Sequence, residues 1–267
     1  MVKLEPAIED LRQRTGCDQV HRLPFGKVML TAPGSTKIIK AATSSRGRAL
    51  LKNEAKGILA LADPLSQSLR VPEVSTLHDD DQLCALEFTV VDGTTPSSWR
   101  APKTILEPLF RPEQTTKTLS ELLEFERLDH ELKNTLLTRH GDPQIPVAPS
   151  HGDYIYWNLL CQSGLEPGLI DFEYYHPCRL SGYDDLHFQA APWLWRTLRT
   201  GAPDASLKPI LRFFVKRQTT DLNPELIFDL FLVHWMQIAE WIYTSDVAAG
   251  DRSNFPRLRV GPKLLAR

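Results

Sequence analysis

The residues best able to do chemistry fall in one stretch, Ser150-His151-Gly152-Asp153-Tyr154-Ile155-Tyr156-Trp157-Asn158, followed by Ile170-Asp171-Phe172-Glu173. Asp153 and Asn158 stand five residues apart, and Asp171 comes thirteen after Asn158, behind a short apolar run. These side chains offer hard oxygen donors. A bound Mg²⁺ keeps several waters and phosphate oxygens and asks for only one or two protein oxygens, so Asn158 and Asp171 suffice as its ligands. Asp153 is then left to orient and deprotonate a hydroxyl. An Asp, four residues, an Asn, and later a metal-binding Asp before Phe is a spacing that phosphoryl transfer uses. At average residue usage the His-Gly-Asp to Asn spacing arises by chance in about one chain of this size in a thousand. The chain holds its own control: His140-Gly141-Asp142 repeats the tripeptide, but Val147 stands five residues on. That copy, beside Pro143, reads as a turn after a helix.

His151-Gly152-Asp153 through Asn158, with Ile170-Asp171-Phe172-Glu173, resembles the aminoglycoside phosphotransferase and choline kinase superfamily of small-molecule kinases. The resemblance implies ATP and Mg²⁺ as cofactors and an α+β, protein-kinase-like bilobal fold. A small antiparallel sheet plus one helix, residues 1–93, would bind the nucleotide. A larger, mainly helical lobe, residues 94–267, would carry catalysis and the acceptor. The resemblance also implies a strand lysine on the phosphates and a helix glutamate paired with it. Lys37-Ile38-Ile39-Lys40 offers two lysines on opposite faces of a strand, and Lys40 matches the family position. Glu54 is the matching glutamate. It shares a helical face with Leu51, Ile58 and Leu61, and a carboxylate in such a stripe is costly unless a cation faces it.

The remaining nucleotide contacts follow from the same resemblance. Leu23-Pro24-Phe25-Gly26-Lys27 stands in for the glycine-rich loop with one glycine instead of three, so Gly26 and Lys27 are expected over the phosphates. The backbone of Thr89 to Val91 is expected to meet the adenine. His151 is expected to pack and orient its loop. Tyr183-Asp184-Asp185-Leu186 resembles the segment that follows the metal Asp, with Asp184 supporting the catalytic loop and Asp185 toward the acceptor.

The elements that must position these groups are legible in outline. Leu4, Ile8 and Leu11 share a face, giving a helix over 3–15. Gln19–Leu23, Lys27–Ala32 and Thr36–Ala42 read as strands, the last two joined by a turn at Pro33-Gly34. Ser44 or Ser45 caps a helix running to Ala62 and stopped by Pro64. Val71–Val74 and Leu83–Val91 give two more strands, with His78-Asp79-Asp80-Asp81 as a solvated loop. Beyond residue 93 the pattern turns helical: one long helix spans Leu119 to Leu136, and others cover 206–217 and 224–244. Residues 94–114 bridge the lobes.

Composition narrows the partners. The 267 residues carry 31 Lys+Arg against 33 Asp+Glu, so no basic excess exists to collect nucleic-acid phosphates. The most apolar long segment, Pro224 to Tyr243, contains Glu225, Asp229, His234 and Glu240 and is too polar to span a membrane. Cys17, Cys84, Cys161 and Cys178 are scattered without metal-like spacing and read as thiols of a cytoplasmic protein. The expected partner is a small molecule bearing a hydroxyl. Trp157 before Asn158 resembles phosphotransferase-like proteins of sugar and surface-polysaccharide metabolism, a resemblance that implies a sugar or aminoglycoside-like acceptor. Trp157, Trp193, Trp195, Trp235 and Trp241 offer indoles that could stack on a sugar or hold an amine. Ile170 to Tyr174 instead resembles the choline and ethanolamine kinase form. The single loop glycine raises a third reading, a pseudokinase acting as a binding module. Against it, Lys40, Glu54, Asp153, Asn158 and Asp171 are all present.

Overall fold

The computed structural model describes residues 5–66, 68–96, 115–125, 130–190 and 222–235. The chain divides into two compact units, one of Met1–Leu109 with His151–Tyr175, the other of Phe110–Ser150 with His176–Arg267. This differs from a single cut after residue 93. The segment bearing Asp153, Asn158 and Asp171 belongs with the N-terminal unit, tied there by backbone bonds. Arg70 N–H donates to the Pro167 carbonyl at 2.8 Å, and Thr94 and Cys161 exchange two bonds at 2.9 Å.

In the first unit, helix α1 (Pro6–Thr15) opens on a proline, whose missing N–H costs nothing there, and closes on left-handed Gly16. Strands β1 (Gln19–Leu23), β2 (Lys27–Thr31), β3 (Lys37–Ala42), β4 (Val74–Asp79) and β5 (Cys84–Thr89) form one sheet in the order β1-β2-β3-β5-β4. Every pairing is antiparallel. Val28, Leu30, Ile39, Ala41 and Ala85 pack with Ile8 and Leu11 of α1. Because side chains alternate along a strand, Lys40 lies on the opposite face from Ile39 and Ala41. That face meets helix α2 (Ser45–Leu65), inserted between β3 and β4. Ser44 caps it, its Oγ accepting from Gly47 N–H at 3.0 Å.

Two expectations shift here. Pro64 does not stop α2: it sits in the last turn, where fully buried Leu65 anchors the final residue. The strand expected at 71–74 begins instead at Val74, since Pro72 has no N–H for a ladder, and it runs through His78 and Asp79. Asp80 then makes the turn, its Oδ1 accepting from Gln82 and Leu83 N–H at 2.7 and 2.8 Å.

The second unit is not purely helical. Gln144–Ser150 is the centre of a three-stranded antiparallel sheet, flanked by Thr115–Thr118 and His176–Leu180. Helices cover Leu119–Phe125, His130–His140, 183–190 and 224–235. Leu119, Leu122, Leu136, Ile145, Val147, Phe231 and Trp235 share their core. Trp235 is therefore packing, not a stacking platform. The expected helix at 206–217, the part of 224–244 beyond 235, the bridging residues 97–114, and Trp193, Trp195 and Trp241 lie outside the described residues. No helix among the described residues is long and apolar enough to cross a membrane.

Candidate active site

All five expected polar positions fall in the first unit. Lys40 Nζ, on β3, lies 2.6 Å from Glu54 Oε1 on α2 and 3.2 Å from Asp171 Oδ1. One ammonium thus joins the helix carboxylate to the expected metal ligand. Lys37, three residues earlier, points to the other face and pairs with Glu87. Glu54 is 1% exposed, and its Oε2 has no hydrogen-bond partner among the described residues. Burial pushes this carboxyl up to about 7, outweighing the pull of Lys40 in the other direction. Burial opposes the charge on Lys40 too, but Glu54 and Asp171 outweigh it and raise the ammonium well above its ordinary value. Lys40 therefore stays charged at every physiological pH.

Asp171 is a non-glycine residue in the left-handed region, at φ 69°. Such a backbone costs on the order of 1 to 3 kcal/mol and persists only where its surroundings fix it. Ile170 N–H donates to the Asn158 carbonyl at 3.0 Å. His151 Nδ1 accepts from Asp153 N–H at 3.3 Å, which leaves Nε2 carrying the hydrogen for the Ile170 carbonyl at 3.0 Å. The imidazole is fully buried with its edge on Phe172, a placement that orients the loop. Burial would raise the Asp171 carboxyl, but Lys40 and Lys27 outweigh it and hold the group below the usual carboxylate range.

Asn158 closes a tight turn over Tyr156–Asn158. Its Nδ2 donates to the Asp153 carbonyl at 2.9 Å and to Asp153 Oδ2 at 3.2 Å. Because both contacts are acceptors, they fix the amide orientation and turn the oxygen away from Asp153. An amide oxygen and an ionised, one-third-exposed carboxylate, linked through the Ile170–Asn158 bond, fit the donor set of a hard divalent cation.

The loop expected over the phosphates is a tight turn with Phe25 and Gly26 both left-handed. Ser44 Oγ donates to the Phe25 carbonyl at 2.8 Å, so the cap of α2 also pins the loop. A Cβ at Gly47 would lie 2.7 Å from Ala42 Cβ and 2.8 Å from the Phe25 oxygen, so this close approach requires glycine. Lys27, expected toward the phosphates, is buried and ion-paired with Glu173. The pairing keeps its ammonium inside the unit, beside the Asp171 segment. Burial and the neighbouring Asp171 charge both push Glu173 up. Of the N–H groups at Thr89 to Val91, Thr89 already donates to Glu73 at 3.0 Å and Val90 to Thr36 at 2.8 Å. Neither is available to a base in this conformation.

Sequence reasoning passed over Ser44's second bond, Gly47 and the Lys27–Glu173 pair. Lys27 registers against Ala42 and Met29 against Lys40, so period-two alternation alone puts Lys27 on the face of Lys40. Asp184 and Asp185 lie in the second unit: Asp184 is fully buried, and Asp185 accepts from Gln189 within their helix.

No protein-family model matches the chain, and no curated protein sequence matches it. Solved structures do share its architecture. Aminoglycoside phosphotransferase APH(3'')-Id from Streptomyces rimosus aligns at 18% identity over 88% of this chain and 97% of its own, with a TM-score of 0.52. APH(4)-Ia aligns at 12% identity over 97% of each chain, TM-score 0.54. The GDP complex of aminoglycoside 2'-phosphotransferase-IIIa aligns at 14% identity over 97% and 96%, TM-score 0.51.

Proposed function

On the aminoglycoside-phosphotransferase fold that this chain carries, we propose that the first unit binds a nucleoside triphosphate, expected to be ATP, with Mg²⁺. The chain then transfers the terminal phosphoryl group to a hydroxyl of a small molecule. The observation that carries this reading is the Lys40 ammonium between Glu54 and Asp171. It unites a phosphate-holding cation with a cation-holding carboxylate, and little besides positioning and charge is needed for phosphoryl transfer.

Mg²⁺, held through the Asn158 amide oxygen and the Asp171 carboxylate, would neutralise charge on the phosphates. Lys40 would hold the non-transferred phosphates, with Glu54 fixing its direction. Asp153, oriented by Asn158, would accept the hydroxyl proton. The acceptor oxygen bonds to phosphorus as the bond to the nucleoside diphosphate breaks, and the proton passes from Asp153 to solvent. Gly26, Lys27 and the Thr89–Val91 backbone complete the proposed nucleotide site, Lys27 only after leaving Glu173 and the backbone through groups other than the occupied Thr89 and Val90 N–H.

A sugar or aminoglycoside-like acceptor is favoured. Trp157 is 40% exposed beside Asn158, and an open indole suits a sugar face or an amine. The structural neighbours are themselves named for aminoglycosides. All four cysteines are thiols, which supports a reducing, cytoplasmic setting. The test is a mass screen for addition of one phosphoryl group across aminoglycosides, sugars and amino alcohols with Mg²⁺-ATP. Nucleotide binding without any modified acceptor would favour a non-catalytic binding module instead.

A further inference from the structure

Asp171 must keep a left-handed backbone while presenting its side chain to Lys40, a conformation that aspartate tolerates better than most residues but that still needs its surroundings to hold it. Helix α2 supplies a restraint. The Asn53 carboxamide donates through one nitrogen to two carbonyls, Glu173 O at 2.9 Å and Tyr175 O at 2.8 Å. Adjacent helical positions point about 100° apart, so one turn reaches Lys40 with Glu54 and the 173–175 backbone with Asn53. One turn further on, a Cβ at Gly57 would lie 2.5 Å from Tyr175 Cβ and 3.1 Å from Phe172 Cβ, so this segment rests on the helix backbone itself. Asp171 is thus bracketed, by His151 and Asn158 before it and by Asn53 after it.

We propose that Asn53 is a positioning residue for Asp171. It latches the 173–175 backbone to the turn of α2 that presents Glu54. The carboxylate that takes the cation and the carboxylate that holds Lys40 then keep a fixed spacing. The cation part rests on the phosphotransferase reading; the latch is a property of the ligand-free chain.

The test compares wild type with Asn53→Ala and the isosteric Asn53→Asp, which has no N–H and sets a carboxylate against two carbonyls. Amide exchange over 171–175 in the ligand-free protein should quicken by about tenfold or more, as expected for losing a latch of two hydrogen bonds, while β3 and β5 exchange as before. The Mg²⁺ concentration for half-maximal phosphotransfer should rise about ten- to hundredfold, the usual cost of removing a group that orients a metal ligand, with acceptor KM little changed. Asn53→Gln keeps the donors and should fall between wild type and Asn53→Asp. Unchanged exchange at 171–175 would overturn the latch whatever the activity. Unchanged Mg²⁺ dependence with a lowered Tm would overturn positioning in favour of plain packing. A wild type that neither binds nucleotide nor transfers phosphate sinks the phosphotransferase reading, and exchange alone then judges the latch.

Discussion

The two His-Gly-Asp tripeptides put the same residues to different uses. At 140–142 the histidine ends a helix, with its Nε2 2.8 Å from Asp229 Oδ2. Left-handed Gly141 returns its N–H to the Leu137 carbonyl at 2.9 Å. Asp142 accepts from Ser120 N–H at 2.7 Å and Ser120 Oγ at 2.8 Å, so both carboxylate oxygens serve the start of a neighbouring helix. At 151–153 the histidine bonds the Asp153 N–H and the Ile170 carbonyl instead, and Asp153 Oδ2 accepts from the Asn158 amide. What differs is the company five and eighteen residues on: Asn158 and Asp171 for one copy, and nothing equivalent for the other. A tripeptide specifies a turn. Chemistry depends on what the turn is made to face.

That contrast can be broken most sharply at the two aspartates. Asp153→Asn should cut the single-turnover rate by about 10² to 10⁴, the range for a general base, with the lower end expected because a loose transition state asks little of the base. Asp142→Asn should leave that rate unchanged. An effect at Asp142 as large as at Asp153 would mean the chemistry belongs to the other tripeptide.

The next effect is on stability. Lys40→Ala leaves Glu54 buried without its cation, a change worth on the order of 3 kcal/mol in denaturant unfolding, alongside weakened ATP binding. Wild-type ATP affinity in this variant would point to Lys37 instead.

The pH dependence sharpens the same point. With Glu54 raised from an ordinary 4.5 to about 7, the folded chain holds that proton more tightly than the unfolded one. Its contribution to stability is therefore full below pH 4.5 and is lost as pH rises through about 7. Function runs the opposite way, because the anchoring carboxylate exists only above that pH. The KM for Mg²⁺-ATP should rise as pH falls through about 7, and Glu54→Gln should flatten that limb. A limb retained in Glu54→Gln assigns it to another group.

The smallest effect belongs to the structural copy. Asp142→Asn loses a charged helix cap and should cost about 1 kcal/mol in unfolding experiments. A larger loss of activity than of stability there would blur the distinction between the copies.

Much of this site could be read in the sequence because local periodicity decides it. Period two separates Lys40 from Lys37, and the apolar stripe of α2 marks Glu54 as a charge in need of a partner. The strands and the hairpin at Pro33-Gly34 followed from turn residues, while a whole antiparallel sheet was what the family resemblance implied. What stayed hidden depends on distance along the chain. Lys27 meets Glu173 146 residues away, and Asn53 reaches the same segment 120 and 122 residues on. No local pattern encodes such meetings, and for the same reason the grouping of 151–175 with the N-terminal unit is not legible in the sequence. Thr115–Thr118 escaped notice because a half-exposed strand of threonines and a lysine lacks an apolar face.

The central claim is that Asp171 holds the cation while Asp153 faces the acceptor. A titration of Mg²⁺-ATP affinity on wild type, Asp171→Asn and Asp153→Asn tests it most directly. Removing the proposed negative metal ligand should weaken both Mg²⁺ and nucleotide binding in Asp171→Asn, while Asp153→Asn binds as wild type does. Nucleotide binding abolished in Asp153→Asn and spared in Asp171→Asn would contradict the account.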